Sequence, residues 1–366
     1  MSRKTYVRDK KNGLLKGTPI YIGVSIILLV MLIFSIGYAV TLGSANISIK
    51  EVYKIIFYEL FHIGDGNVLG SGPIHDVVWL IRLPRIILAV AVGMGLAVVG
   101  IVMQAVVKNP LADPYILGIS SGASLGATMA VLLGVGTAFG SNAIGICGFI
   151  GAFLISILVL LLSNIGGPTN STKLLLGGMA LSAVCSAFSN LIVYISNNAE
   201  GMKTITFWLM GSLAGAKWSD IIFIIPIILI GTIFFITQSR TLNLMLLGDE
   251  VSITLGTNLH IYRHIYLIIT SLMIGVLVYS SGMIGFVGLI IPHLVRMIFG
   301  TDHKKIIPIA AIVGAIFLTW ADVLSRIIVK GAEIPIGILI SAIGAPCFIW
   351  LMIKRTYGFG GNNQWI

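Results

Sequence analysis

The chain has 366 residues, of which 57% are hydrophobic and 10% charged, with a mean hydropathy of +1.04 and a formal charge of +10. So few ions cannot cover a water-soluble surface, since ordinary domains carry about 25% charged residues and one or two cores could not hide this much apolar side chain. A soluble enzyme is excluded, and an all-α membrane protein is predicted, because backbone groups in lipid must be satisfied within each segment.

In chain order, residues 1–19 form a basic tail carrying Arg3, Lys4, Arg8, Lys10, Lys11 and Lys16. The apolar run that follows, 20–42, is too long for a signal-peptide core and lacks a small-residue cleavage site, so it is predicted to be a retained span. A crossing helix needs about 20 apolar residues. Runs free of Asp, Glu, Lys and Arg, but for Asp220, Asp322 and Arg326 near span ends, predict further spans at 86–107, 174–196, 219–238, 306–328 and 335–353. The uncharged stretch from Pro114 to Thr172 is too long for one helix, and Gly134, Gly136 and Gly140 divide it into 115–133 and 141–163. Ser280, Ser281, Gly282 and Gly285 divide the next long run into 263–281 and 284–299.

Ten spans with the N-terminus inside place fifteen Lys and Arg in the cytoplasm and eight outside, against five and eight acids. The whole net charge then faces the cytoplasm, as does the C-terminal pair Lys354 and Arg355, in accord with the positive-inside rule. That distribution along span ends, with no concentrated basic face, also argues against nucleic acid as a partner. The domain reading is one ten-helix unit over 20–355 between the basic tail and a C-terminal cytoplasmic tail, 356–366. Five spans per half would make any structural repeat an inverted one.

No catalytic constellation, cofactor site or metal site emerges. Cys147, Cys185 and Cys347 are scattered among spans and form no CxxC pair. The P-loop pattern is missing, so the chain carries no phosphate cradle of its own. Gly118, Gly122 and Gly126 repeat at GxxxG spacing, which favours close helix packing. His260 and His264 flank Arg263 at a span end, and a polar interface explains them better than a metal. His293 and Arg296 could face a cavity or reach the interface. The predicted interior holds no acid away from a span end, whereas an ion-coupled carrier needs one. Asp322 comes nearest, one turn from Arg326, where a local salt bridge and a docking role are both open. Energy from a separate subunit follows from these absences.

The loop 240–263 is predicted to hold a short helix, with Gly248 before Asp249 and Glu250 and Gly256 at its end. Its leucines and isoleucines suit a partner protein better than the membrane surface, because a Lys/Arg-rich polar face is lacking. At the other end, Arg82 and Arg85 in RLPR share one helix face, with Arg326 in reach. Such a group suits carboxylates of an external protein.

Several motifs in order resemble the FecCD family of ATP-binding cassette (ABC) importer permeases. They are RLPR at 82–85, VMQAVVKNPLADPYILGISSGA at 102–123, TFWLMGSL at 206–213, LNLMLLGDEVSITLG at 242–256, GMIGFVGLIIPHLVRMIFGTDHKKIIP at 282–308, and ADVLSR with EIPIGILISAIGAPCFIWLM. The resemblance implies a type II importer permease in a bacterial cytoplasmic membrane. It implies partners too: an ATPase subunit pair, an extracytoplasmic substrate-binding protein, and a second permease copy or close paralogue. By resemblance, Gly248, Asp249, Glu250 and Gly256 couple to the ATPase, and Arg82, Arg85 and Arg326 dock the binding protein. Asn109, Leu111, Pro168 and Thr169 match a cytoplasmic gate. The implied cargo is an iron(III)–siderophore, with haem or cobalamin as alternatives in the same family and an ion-coupled secondary transporter as the alternative class.

Overall fold

The computed structural model describes residues 18–43, 47–165, 167, 169–329 and 331–354. Most of the basic tail, Pro168, Arg355 and the tail 356–366 lie outside the described residues. α-Helices of at least six residues are α1 (Thr18–Thr41), α2 (Ile49–Phe61), α3 (Leu83–Val107), α4 (Ile119–Leu133), α5 (Ala143–Ser163), α6 (Ser171–Ile195) and α7 (Ala199–Leu209). They continue as α8 (Trp218–Thr237), α9 (Ser239–Leu247), α10 (Asp249–Thr254), α11 (Leu259–Ser281), α12 (Val287–Phe299), α13 (His303–Ile327) and α14 (Ile336–Lys354).

Seven helical stretches, those containing α1, α3, α5, α6, α8, α11 and α13, are long and apolar enough to cross a membrane. The shorter apolar helices α4, α12 and Ile336–Trp350 of α14 fill the other predicted places. The bundle is organised around α3, whose apolar window is 83% buried, against 11% for α1 and for α6. α13, α12, α11 and α8 surround it. Glycine makes that approach possible: a Cβ on Gly93 would lie 2.2 Å from the Gly314 carbonyl oxygen, and one on Gly100 would lie 2.0 Å from that of Gly288. The GxxxG repeat brings α4 onto α5 in the same manner, with Gly126 backed against the Cys147 carbonyl.

Two predicted span starts are corrected. α4 begins at residue 119 rather than 115, and α12 at 287 rather than 284. Hydropathy counts apolar residues but does not see that Pro114, and glycines in the left-handed region such as Gly118 and Gly282, interrupt helix. The irregular segment 108–118 folds back into the bundle. Pro114 packs on Gly288, and Gly118 lies against Gly178, seven residues and so about 10 Å inside α6. Asp113 is drawn in with it, accepting from the Tyr115 amide at 2.9 Å and from the Phe286 amide at the start of α12. The expectation of an interior without acids is thereby revised, since Asp113 was placed in a cytoplasmic turn. At 13 and 15 residues, α12 and α4 are about 20 Å long and fall short of a full crossing.

α2 and the turns that follow it form a layer over one end, with a small core of Val52, Ile55, Val78, Leu83 and Ile86. A capping box starts α2: Ser48 Oγ accepts from the Glu51 amide, and the Glu51 carboxylate accepts from the Ser48 amide. His75 lies between Glu59 at 2.9 Å and Asp76 at 3.0 Å and closes the layer onto α3's approach.

Candidate coupling and gating site

The end of the bundle where α3 terminates gathers the loop α9–α10 and both segments predicted to gate. The short helix predicted there, between Gly248 and Gly256, is α10, and a second helix, α9, precedes it. Gly248, at φ 102° and ψ 165°, bends the chain sharply between α9 and α10, and Gly256, at φ 78°, closes α10. Ser252 fastens the halves by donating to the Gly248 carbonyl at 2.7 Å and the Leu244 carbonyl at 3.0 Å. Leu247, Val251, Ile253 and Leu255 are exposed, and so is Glu250.

Asp249 faces the body of the protein instead. Its carboxylate accepts from Arg263 Nη2 at 2.5 Å and stands 3.3 Å from Lys108 Nζ. Burial pushes the Asp249 carboxyl up, but Arg263 and then Lys108 outweigh it and hold the group below the usual carboxylate range. Arg263, itself 2% exposed, also donates from Nη1 to the Thr169 carbonyl at 3.2 Å. Lys108 ends α3 in the left-handed region, at φ 55°, directly before Asn109. Asn109 Oδ1 accepts from the Leu111 amide at 2.9 Å, which shapes the turn into the re-entrant segment.

The Thr169 segment is held by more than Arg263. Thr169 Oγ1 donates to Asn164 Oδ1 at 2.6 Å. Both imidazoles of the His260–His264 pair meet the same Asn164 amide, at 3.1 and 2.8 Å. These histidines therefore anchor a loop, and among the described residues no His, Cys, Asp and Glu group is arranged to hold a metal ion. Arg296 donates to Gln104 within the bundle, joining α12 to α3. A cavity of about 800 Å³ opens between the two halves of this site, lined by Thr169, Asp249, Ile253, His260 and Arg263. Sequence spacing could not find Lys108 or Arg263 as partners of Asp249. The signal was the pairing of a loop acid with bases at two span ends.

At the opposite end Arg82, Arg85 and Arg326 do come together, but turned inward and 4%, 5% and 8% exposed. Arg82 Nη1 donates to the Val40 and Thr41 carbonyls at 3.2 and 3.1 Å, and Arg326 Nη1 to the Leu42 carbonyl at 2.9 Å. Two arginines thus satisfy the orphan carbonyls that end α1. Arg85 bridges Asp322 at 2.7 Å and Glu333 at 2.8 Å, and Arg326 meets Asp322 at 3.1 Å. The local salt bridge open at Asp322 is the arrangement found. Within the single chain, the guanidinium groups expected to meet an external protein are enclosed by the chain's own neighbours. Only the Glu333 carboxylate, 49% exposed, looks outward.

Residues 27–354 match the model of the FecCD transport family. The chain belongs to that family. It is 39% identical over 339 residues to the hemin transport system permease protein HmuU of Yersinia pestis, covering 91% of this chain and 95% of that one. It is 40% identical over 282 residues to the vitamin B12 import system permease protein BtuC of Salmonella typhi, covering 76% and 84%. A chain solved in an inward-facing conformation and described as a metal-chelate type ABC transporter superposes with a TM-score of 0.78, at 32% identity, covering 92% of this chain and all of its own. The protein is thus a multi-pass bacterial inner-membrane permease subunit of an ABC importer. Family membership implies ATPase and substrate-binding partners and pairing of permeases, and the relatives are not themselves enzymes.

Proposed function

We propose that this permease passes an iron(III)–siderophore, or a metal chelate like it, into the cytoplasm. Two copies, or one with a close paralogue, would enclose the path, and an ATPase pair would drive it. The observation that carries the reading is the α9–α10 loop, which is fastened to the body through Asp249 while its apolar side chains stand exposed. A surface of that kind needs a protein to cover it. With the ATPase on that side, the N- and C-termini are cytoplasmic and the ten apolar helices form one domain over 20–355. Asn109, Leu111 and Thr169 then border the cytoplasmic exit. The external binding protein would settle on the opposite layer, with exposed groups such as Glu333 rather than the enclosed arginines making first contact.

An apolar cavity of about 650 Å³ beside the α11–α12 break, lined by Tyr115, Ser120, Met210, Met283 and Ser341, supports a path that binds cargo weakly. Relatives named for haem and vitamin B12 transport keep those cargoes as alternatives. The ion-coupled class has Asp113 as its natural acid, but backbone amides occupy that carboxylate. The deciding experiment is uptake of ferric hydroxamate, haem and cobalamin by vesicles holding the permease with its ATPase and binding protein. ATP-dependent uptake of the ferric chelate, insensitive to ionophores, is the expected result. Uptake that continues with a non-hydrolysable ATP analogue, or stops with an ionophore while ATP is present, would overturn it.

A further inference from the structure

The exposed loop, the end of α3 and the Thr169 segment all converge on one carboxylate. Asp249 opens α10 and is held by two bases from different parts of the chain, Lys108 at 3.3 Å and Arg263 at 2.5 Å. Each base leads to a different segment. Lys108 is the last turn of α3 and precedes the Asn109–Leu111 turn, which leads into the re-entrant segment ending at Gly118. Arg263 extends a second nitrogen to the Thr169 carbonyl, and Asn164, tied to His260 and His264, keeps that segment against the same turn of α11. Ser252 makes α9 and α10 one body across Gly248. A push on the exposed leucines and isoleucines cannot be absorbed at that bend without disturbing Asp249.

We infer that Arg263 and Lys108 are positioning residues that carry displacement of the α9–α10 loop to both gate segments through their shared carboxylate, Asp249. The inference rests on the reading that this loop seats the ATPase. The energetic reason is the asymmetry of buried ion pairs. Arg263 is enclosed, so moving Asp249 away strands its charge unless Arg263 follows, and Arg263 holds the Thr169 carbonyl. Both segments follow the loop because separation costs more than joint movement.

The test uses the full permease with its ATPase in vesicles. Cys147, Cys185 and Cys347 are replaced by serine, and a spin label is placed at exposed Thr172 beside the Thr169 segment. In the otherwise unaltered chain, a non-hydrolysable ATP analogue should change the label's spectrum. R263M and K108M should still hold the ATPase yet reduce that change at least about threefold, and adding R263M to D249N should reduce it no further than D249N alone. A full nucleotide response in R263M, losses that multiply in the double variant, or a label that never responds would each overturn the relay. Should R263M fail to fold, K108M decides alone, since Lys108 is 28% exposed and tolerates replacement. Failure of the unaltered chain to retain the ATPase would instead sink the reading of the loop as its seat.

Discussion

Asp322 is fully buried between two arginines, and the three form a unit whose parts have no separate meaning. Removing one charge strands the others, whereas replacing the whole group by apolar residues would cost little. Asp322→Asn is therefore expected to destabilise the protein by about 3–5 kcal/mol, seen as a lower unfolding temperature in detergent. An unchanged temperature would show that Glu333 and the Leu42 carbonyl suffice to hold the two arginines. Asp249 obeys a different rule because it lies outside the membrane. Its carboxyl sits below the ordinary value, so its pairing is fully present above the unfolded carboxylate pKa of about 3.9 and is lost as pH falls through the lowered folded value. Amide exchange of residues 248–256, corrected for intrinsic rates, should stay slow from neutral pH to about pH 5 and accelerate only in stronger acid. Asp249→Asn should show the fast behaviour at neutral pH. Of these pairings only Asp322 with Arg326 is visible in local spacing, since Arg85 and its acids stand 237 and 248 positions apart. RLPR announced two arginines on one helix face but could not say which way that face would turn.

Among elements, the legible ones were those whose whole length is apolar. The runs at 20–42, 174–196 and 219–238 became α1, α6 and α8 with ends shifted by one to three residues. Residues 115–118 and 284–286, read as span starts, were misread, because both stretches are uncharged and irregular, and lipid-depth backbone of that kind is tolerated only inside protein. Nothing in hydropathy distinguishes it from helix. α2 was missed although its capping box, Ser48 to Glu51, is written in the sequence. A thirteen-residue amphipathic helix between spans leaves no hydropathy peak. Helix-to-helix contact offers a direct check. Gly100→Ala drives a methyl into the Gly288 carbonyl and is expected to cost about 1–3 kcal/mol, whereas Gly23→Ala, with nothing within 4 Å of the new carbon, should be neutral or slightly stabilising. Thermal unfolding of the two variants side by side reads the difference. Equal behaviour would mean that α3 and α12 separate freely.

For the whole molecule, the sequence disclosed class and family more readily than geometry. Composition alone required a membrane, and a chain lacking a phosphate cradle has to obtain its energy from another subunit or from an ion gradient. What it could not disclose is that the two ends of the bundle are built on opposite plans. One end locks its charges away, sealing α1, α3 and α13 together with arginine. The other leaves an apolar loop face exposed, tied to the body through Asp249 on α10 and Asn243 on α9. An importer driven from the cytoplasm needs that asymmetry, because the side receiving force has to yield while the far side resists.

The way α3 is gripped has a consequence for how such a permease diverges. Main chain touching main chain at Gly93 and Gly100 leaves no side chains there to be exchanged, so the pivot of the bundle is indifferent to cargo. α6, with few buried residues, is under less restraint. Relatives that carry unlike nutrients can keep one axle and redraw the panels hung around it.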